Sequence, residues 1–283
     1  MSAMTAVSFQ VSPRTTSTIE VNGARLYHEI RGSGPSVLFI SGATGDAGHF
    51  VQVAELLADE FTVVTYDRRG NSRSSRPAGW NKTSTDEQAD DAAGLLKALD
   101  LDPAAVFGTS GGAIIGLNLV IRHPEVVRRV ILHEPPLLSV LARPEEVMGF
   151  LQPIIERAMA AGGPRTAMEA FARFAAGDAN FERLDPQLRE RMLGNGETFF
   201  GIEFGAFESY RPGDATLAAV NRTVQVMVGT ESAPFFGEAS QWLAEHLNIK
   251  VVAMPGAHTP YFDRPQEMAE AIRPFLRRVS TGL

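Results

Sequence analysis

The chain has 283 residues, 44% of them hydrophobic and 21% charged, an ordinary globular composition that is long enough for one large domain with an insertion. It contains no cysteine, which excludes disulfides, thiolate metal sites and a cysteine nucleophile. Its 33 acidic and 26 basic residues leave a net charge of -7, which argues against nucleic acid or an anionic membrane as the main partner.

Residues 1–15 are polar, rich in Ser and Thr, and read as a flexible leader. Met1 to Pro13 lacks the basic stretch and apolar run of a signal peptide, and no apolar run approaches the ~20 residues of a membrane-spanning helix, so a cytoplasmic location is expected. Residues 16–21 and 25–30 alternate weakly around Asn22-Gly23, a strong hairpin signal. Val37-Leu38-Phe39-Ile40 is a continuous apolar run, which suits a strand covered on both faces, and it ends in the small-residue loop Ser41-Gly42-Ala43-Thr44-Gly45. A short helix over 51–57 and a second buried strand over 61–66 lead to Asp67-Arg68-Arg69-Gly70-Asn71-Ser72-Arg73-Ser74. That loop is read as structural, with Asp67 and Arg69 tying segments together. Ser84 has the character of an N-cap for a helix running to about Leu99, with Asp86 and Glu87 in its first turn.

The stretch from Val106 to Gly116 is the most informative. An apolar strand over 104–107 meets a helix of small residues within a few positions, and Ser110 sits at the turn inside Gly-x-Ser-x-Gly. Gly108 and Gly112 leave room for strand and helix to approach, and the Gly111 N–H at the helix start can stabilise an oxyanion. The pattern taken alone also fits an ordinary Gly/Ser loop; the flanking strand and helix favour a nucleophile. Residues 130–132 form the next strand, ending at His133-Glu134-Pro135-Pro136.

Alternation of strand and helix stops at about Leu137. Residues 137–212 are expected to be a helical cap, with helices over 144–161, 167–176, 186–193 and 197–207, rich in Phe and Met. Most of those side chains suit the cap's own core, and some should line an apolar pocket. The sheet resumes at 224–228, a helix follows over 238–247, a last strand covers 250–254, and a closing helix spans 265–278. The expected fold is of the α/β class: a mostly parallel, doubly wound sheet from residues 16–136 and 213–283, with the cap inserted after a core strand.

A serine hydroxyl needs a base. Of the six histidines, His258 alone follows a late strand on a Gly-containing loop, the place from which a ring can reach over Ser110. The base in turn needs a carboxylate to fix its tautomer. Two loops offer one: Glu134 after the strand at 130–132, held by two prolines, and Glu231 after the strand at 224–228. Glu134 is the favoured reading and Glu231 the alternative. The second oxyanion donor is expected at the Ala43 N–H. His49 lies close to that loop, and His133 is expected to pack at its strand end. No His/Asp/Glu cluster has metal-ligand spacing and no Gly-rich loop has phosphate-binding spacing, so neither a metal nor a cofactor is expected.

The loop from Asp67 to Ser72, Gly108-Thr109-Ser110-Gly111-Gly112, and His258, in that order, resemble the α/β-hydrolase superfamily over about residues 16–280. Three departures stand out. Ser41-Gly42 replaces a common His-Gly, Ser72 replaces a common Gly, and Ser232 stands where many members carry the acidic Asp. The last departure favours Glu134, because a smaller set of the superfamily places its acid after the preceding core strand. Leu132-His133-Glu134-Pro135, Val228-Gly229-Thr230 and Met254-Pro255-Gly256-Ala257-His258 locally resemble zearalenone-type lactonases, and macrolide esterases are similar. The resemblance implies a serine hydrolase acting on a carboxylic ester or a large apolar, macrocyclic lactone. The alternatives are C–C bond or amide hydrolysis on the same residues, or a ligand-sensing protein of the same fold.

Overall fold

A computed structural model describes residues 14–277. The expected leader falls mostly outside the described residues. Its last two positions, Arg14 and Thr15, are not leader but the start of strand β1 (Arg14–Val21), because they pair with Arg31 and Ile30 of β2 (Ala24–Arg31). Asn22 and Gly23 both take positive φ, 47° and 76°, as a two-residue hairpin turn demands.

Among the described residues one sheet of eight strands runs in the order β1-β2-β4-β3-β5-β6-β7-β8. The remaining strands are β3 (Ser36–Ile40), β4 (Thr62–Tyr66), β5 (Ala104–Thr109), β6 (Val127–His133), β7 (Thr223–Gly229) and β8 (Val251–Met254). The pairs β1/β2 and β2/β4 are antiparallel and all others parallel. The apolar run at 37–40 explains itself here. Val37 and Phe39 face one layer of helices, α1 (Val51–Leu57) and the closing helix Pro265–Arg277. Leu38 and Ile40 face the other, α2 (Thr85–Ala98) and α3 (Gly111–Arg122). Each such side chain is fully buried, and each burial contributes roughly 1.5–3 kcal/mol. Ser84 caps α2 as expected, its hydroxyl accepting from the Glu87 N–H at 3.1 Å.

Between β6 and β7 the chain forms helices: α4 (Pro144–Ala176), α5 (Asp178–Arg183), α6 (Pro186–Gly194), then α7 (Gly196–Thr198), a π-helical turn (Phe199–Glu203), α8 (Phe204–Glu208) and α9 (Asp214–Ala218). The two helices expected at 144–161 and 167–176 are both present within α4, separated by a kink at Gly162 and Gly163, whose backbones are not helical. Met168, Phe181, Met192, Phe199 and Phe207 continue the core on the α2/α3 side of the sheet. After β7 come α10 (Pro234–His246), then β8, α11 (Pro260–Asp263) and α12 (Pro265–Arg277). None of the described helices is long and apolar enough to cross a membrane.

Candidate active site

The carboxyl ends of β5, β6, β7 and β8 lie side by side, so the loops that follow them are neighbours. That adjacency gathers residues far apart in sequence.

Ser110 fills the junction of β5 and α3 with φ 55° and ψ -129°, a conformation an L-residue holds only under constraint. Its N–H donates to His133 O at 2.9 Å, and its carbonyl accepts from the Ala113 N–H at 2.8 Å. The glycines explain how strand and helix fit. A Cβ on Gly112 would collide with the Ile40 carbonyl oxygen, and one on Gly108 would collide with the Gly112 carbonyl. Gly42 presses against the serine from the other side, where a Cβ would lie 2.7 Å from Ser110 Cβ.

His258 is on the loop after β8. That loop closes on the end of β7: Thr230 N–H donates to Met254 O at 2.9 Å and Glu231 N–H to Gly256 O at 3.0 Å. Gly229 permits the approach, since a Cβ there would stand 2.6 Å from Gly256 O. The His258 ring stacks on Phe236 at 4.2 Å between centroids, and its Nδ1 lies 2.5 Å from Glu134 Oε2. The other carboxylate oxygen of Glu134 accepts from the Gly229 N–H at 2.6 Å. Glu134 is wholly buried. Burial alone would raise its pKa, but the hydrogen bond with His258 and the nearby His133 and His258 rings outweigh that and hold it down at about 2. A buried anion bonded to Nδ1 leaves Nε2 of His258 as the basic nitrogen.

Glu231, the alternative acid, does not meet His258. It is exposed and pairs with Arg264 at 2.7 Å. His133 is buried beneath the pair, with Nδ1 bonded to Thr109 Oγ1 at 2.9 Å. Burial pushes its pKa down to about 4. His49 is buried too, bonded to Thr44 Oγ1 at 2.7 Å and held near 4 by the same cause. The Asp67–Ser74 loop ties segments together as read: Arg69 grips Asp91 through two bonds, and Asp67 accepts from the Ala47 N–H and pairs with Arg73.

Ser110, His258, Ala43 and Gly111 share the wall of a cavity of about 370 Å³. The wall is otherwise mostly apolar: Phe171, Phe174, Phe199, Phe204 and Phe207 from the helices between β6 and β7, and Phe235 and Phe236 from α10. A smaller hollow of about 40 Å³ adjoins Ser110 and reaches His49 and Tyr261. Among the described residues no group of three or more His, Asp or Glu is placed to hold a metal ion. Two features escaped the sequence reading. One is Phe236 beneath His258. The other is Glu203, an acidic residue inside the apolar stretch from Phe199 to Phe207, whose isolation was the available signal.

Strand order, the strained serine and the shared cavity define a protein of the α/β-hydrolase class. The sequence profile described as the alpha/beta hydrolase fold matches residues 35–268, and the chain belongs to that family. It is a hydrolase of the family: it is 34% identical over 268 residues to the uncharacterised hydrolase YraK of Bacillus subtilis (strain 168), covering 92% of this chain and 96% of that protein. A zearalenone hydrolase of Bionectria ochroleuca is 34% identical over 127 residues, 44% of this chain and 48% of that protein. The solved enol-lactonase from Burkholderia xenovorans LB400 superposes with a TM-score of 0.73 at 18% identity, covering 93% of this chain and 100% of that one, a likeness of fold. The superfamily resemblance read from the motifs, with its local zearalenone-type character, is borne out.

Proposed function

We propose that the protein is a cofactor-independent serine hydrolase that cleaves a carboxylic ester or lactone through an acyl-enzyme. The observation that carries this reading is that Ser110 and His258 line one apolar cavity, with His258 held from behind by the buried Glu134. Ser110 Oγ attacks the carbonyl carbon as His258 Nε2 takes its proton. The N–H groups of Ala43 and Gly111 stabilise the oxyanion, and Glu134 stabilises the imidazolium. His258 then protonates the leaving alkoxide. In the second half it activates a water that releases the acid and frees Ser110. For a lactone the leaving alcohol stays tethered to the acyl group, so one hydroxy acid is released.

The inserted helices act as a cap over the site. The phenylalanine-lined volume suits an apolar substrate of drug-like size. The partial similarity to a zearalenone hydrolase supports macrocyclic lactones within that class. The test is a comparison of wild type, Ser110→Ala, Glu134→Gln and Glu231→Gln on short aryl esters and macrocyclic lactones. Ser110→Ala is expected to abolish turnover, Glu134→Gln to lower kcat by about 10³–10⁴-fold, and Glu231→Gln to leave it within about twofold. A Ser110→Ala protein with full activity would sink the mechanism. A higher kcat/KM on short esters than on lactones would remove the substrate assignment alone.

A further inference from the structure

Arg68 follows β4 and is completely buried, as is Glu203 in the π-helical turn between β6 and β7. The guanidinium grips that carboxylate with both terminal nitrogens, Nη1 to Oε1 at 2.5 Å and Nη2 to Oε2 at 2.8 Å. Asn71 Nδ2 and Gln88 Nε2 also donate to Glu203 Oε1, at 3.0 and 3.3 Å. Nη1 also donates to Gln88 Oε1 at 3.2 Å, and the other bonds of the fork go to the loop after β3. Nε donates to Ser41 O at 3.1 Å and Nη2 to Gly42 O at 2.9 Å. Gly42 O also accepts from the Gly45 N–H at 3.2 Å.

The geometry has a consequence for Ala43. In a trans peptide the C=O and N–H of one unit point in opposite directions. Holding the Gly42 carbonyl on Arg68 therefore turns the Ala43 N–H away from Arg68, and Ala43 lines the cavity beside Ser110. We propose that Arg68 is the positioning residue for the Ala43 oxyanion donor, and that Glu203, contributed by the helices between β6 and β7, holds Arg68 in place. Seating of those helices and the shape of the oxyanion hole are then one coupled arrangement. This rests on the reading of Ser110 as nucleophile. Stability alone is a weak reason for such a cluster, because a buried ion pair can commonly be replaced by apolar residues of similar volume without loss. A directed set of bonds onto two consecutive carbonyls is what apolar residues cannot supply. The π-helical turn that delivers Glu203 is itself an uncommon geometry, frequent at functional sites.

The test uses the full chain carrying Arg68→Met with Glu203→Leu, so that neither charge is left buried alone, and separately Arg68→Lys, whose single point donor cannot reproduce the fork. One readout is the rate at which a fluorophosphonate labels Ser110. There the Oγ–P bond forms, fluoride leaves, the proton passes to His258, and the P=O oxygen occupies the oxyanion position. The second is kcat and KM on a 4-nitrophenyl ester across pH. The double variant is expected to melt cooperatively, with KM within about threefold of wild type. Its kcat and labelling rate should both fall by about 10- to 100-fold. The midpoint of its pH profile should not move, because the His258–Glu134 pair is intact. Arg68→Lys should fall in between.

A folded double variant with both rates within about twofold of wild type overturns the proposal. If the double variant does not fold, Arg68→Lys decides: wild-type rates overturn the proposal, and a selective fall in kcat and labelling supports it. A wild type that is not labelled at Ser110, or a Ser110→Ala protein that hydrolyses the ester normally, overturns the serine reading itself and this proposal with it.

Discussion

Ser110 and Glu134 hold positive φ angles of 55° and 50°, in a region that costs a non-glycine residue on the order of 1–3 kcal/mol. Both are locked by backbone bonds to the neighbouring strands, Ser110 N–H to His133 O and Glu134 N–H to Met227 O. Side-chain reach matters as much as backbone at Glu134, since one oxygen meets His258 Nδ1 and the other the Gly229 N–H. Glu134→Asp shortens that reach by one methylene and cannot keep both bonds without moving the backbone. Its kcat is expected to fall by about 10-fold or more with KM little changed, a smaller loss than for Glu134→Gln, whose amide cannot stabilise the imidazolium. Steady-state kinetics on a short ester checks it, and equal kcat for Glu134→Asp and wild type would contradict the role of reach. The sequence made Ser110 legible because the elbow is a local pattern of glycines. It left two acids open because choosing between Glu134 and Glu231 needs the distance to a histidine more than 120 positions from one of them. Glu203 was out of reach for the same reason, since its partner Arg68 lies 135 residues away.

At the scale of elements, the junction of β5 and α3 depends on how closely a helix can approach the strand beside it. Gly112 is where α3 touches β3, and a methyl group there would overlap the Ile40 carbonyl oxygen, which is main chain and cannot swing aside. Gly112→Ala should therefore cost about 1–3 kcal/mol, read from the urea midpoint. It should also disturb Ser110, which sits two residues away, so under the proposed mechanism hydrolysis of a test ester should fall in the protein that remains folded. An unchanged midpoint with full activity would mean that the helix shifts freely. Strands were legible because burial on both faces writes continuous apolar runs such as 37–40. The longer helices between β6 and β7 were legible too, because their apolar spacing fits helices and the non-helical Gly162 and Gly163 fall between the two expected at 144–161 and 167–176. The short helices Asp178–Arg183, Asp214–Ala218 and Pro260–Asp263 have too few turns to show a period.

For the whole molecule, the same packing that builds the site sets how it fails in acid. His49 and His133 are neutral in the folded state with pKa values held down to about 4 by burial, and burial lowers His28 as well. The unfolded chain takes up a proton at His49 and at His133 near pH 6.5, whereas the folded chain does not until about pH 4. Their contribution to stability is therefore complete above pH 6.5 and is lost progressively as pH falls towards 4, at up to about 1.4 kcal/mol per pH unit for each histidine. Glu134 acts later. Its depressed pKa favours the folded state above about pH 4.5, and that stability is lost as pH falls towards 2. Asp67 and Asp91 shift upward through burial and oppose the loss at low pH, so the cleanest window for the histidines lies between about pH 6.5 and 5. The melting temperature should fall across that window. His133→Asn separates the causes, because its amide can keep the bond to Thr109 Oγ1 that Nδ1 makes while removing the titrating ring. The variant should be less stable than wild type at pH 8, with the gap narrowing as the pH is lowered to 5. A gap that stays constant over that range would mean that His133 takes up no differential proton on unfolding, and the acid sensitivity would then belong to His49 and His28.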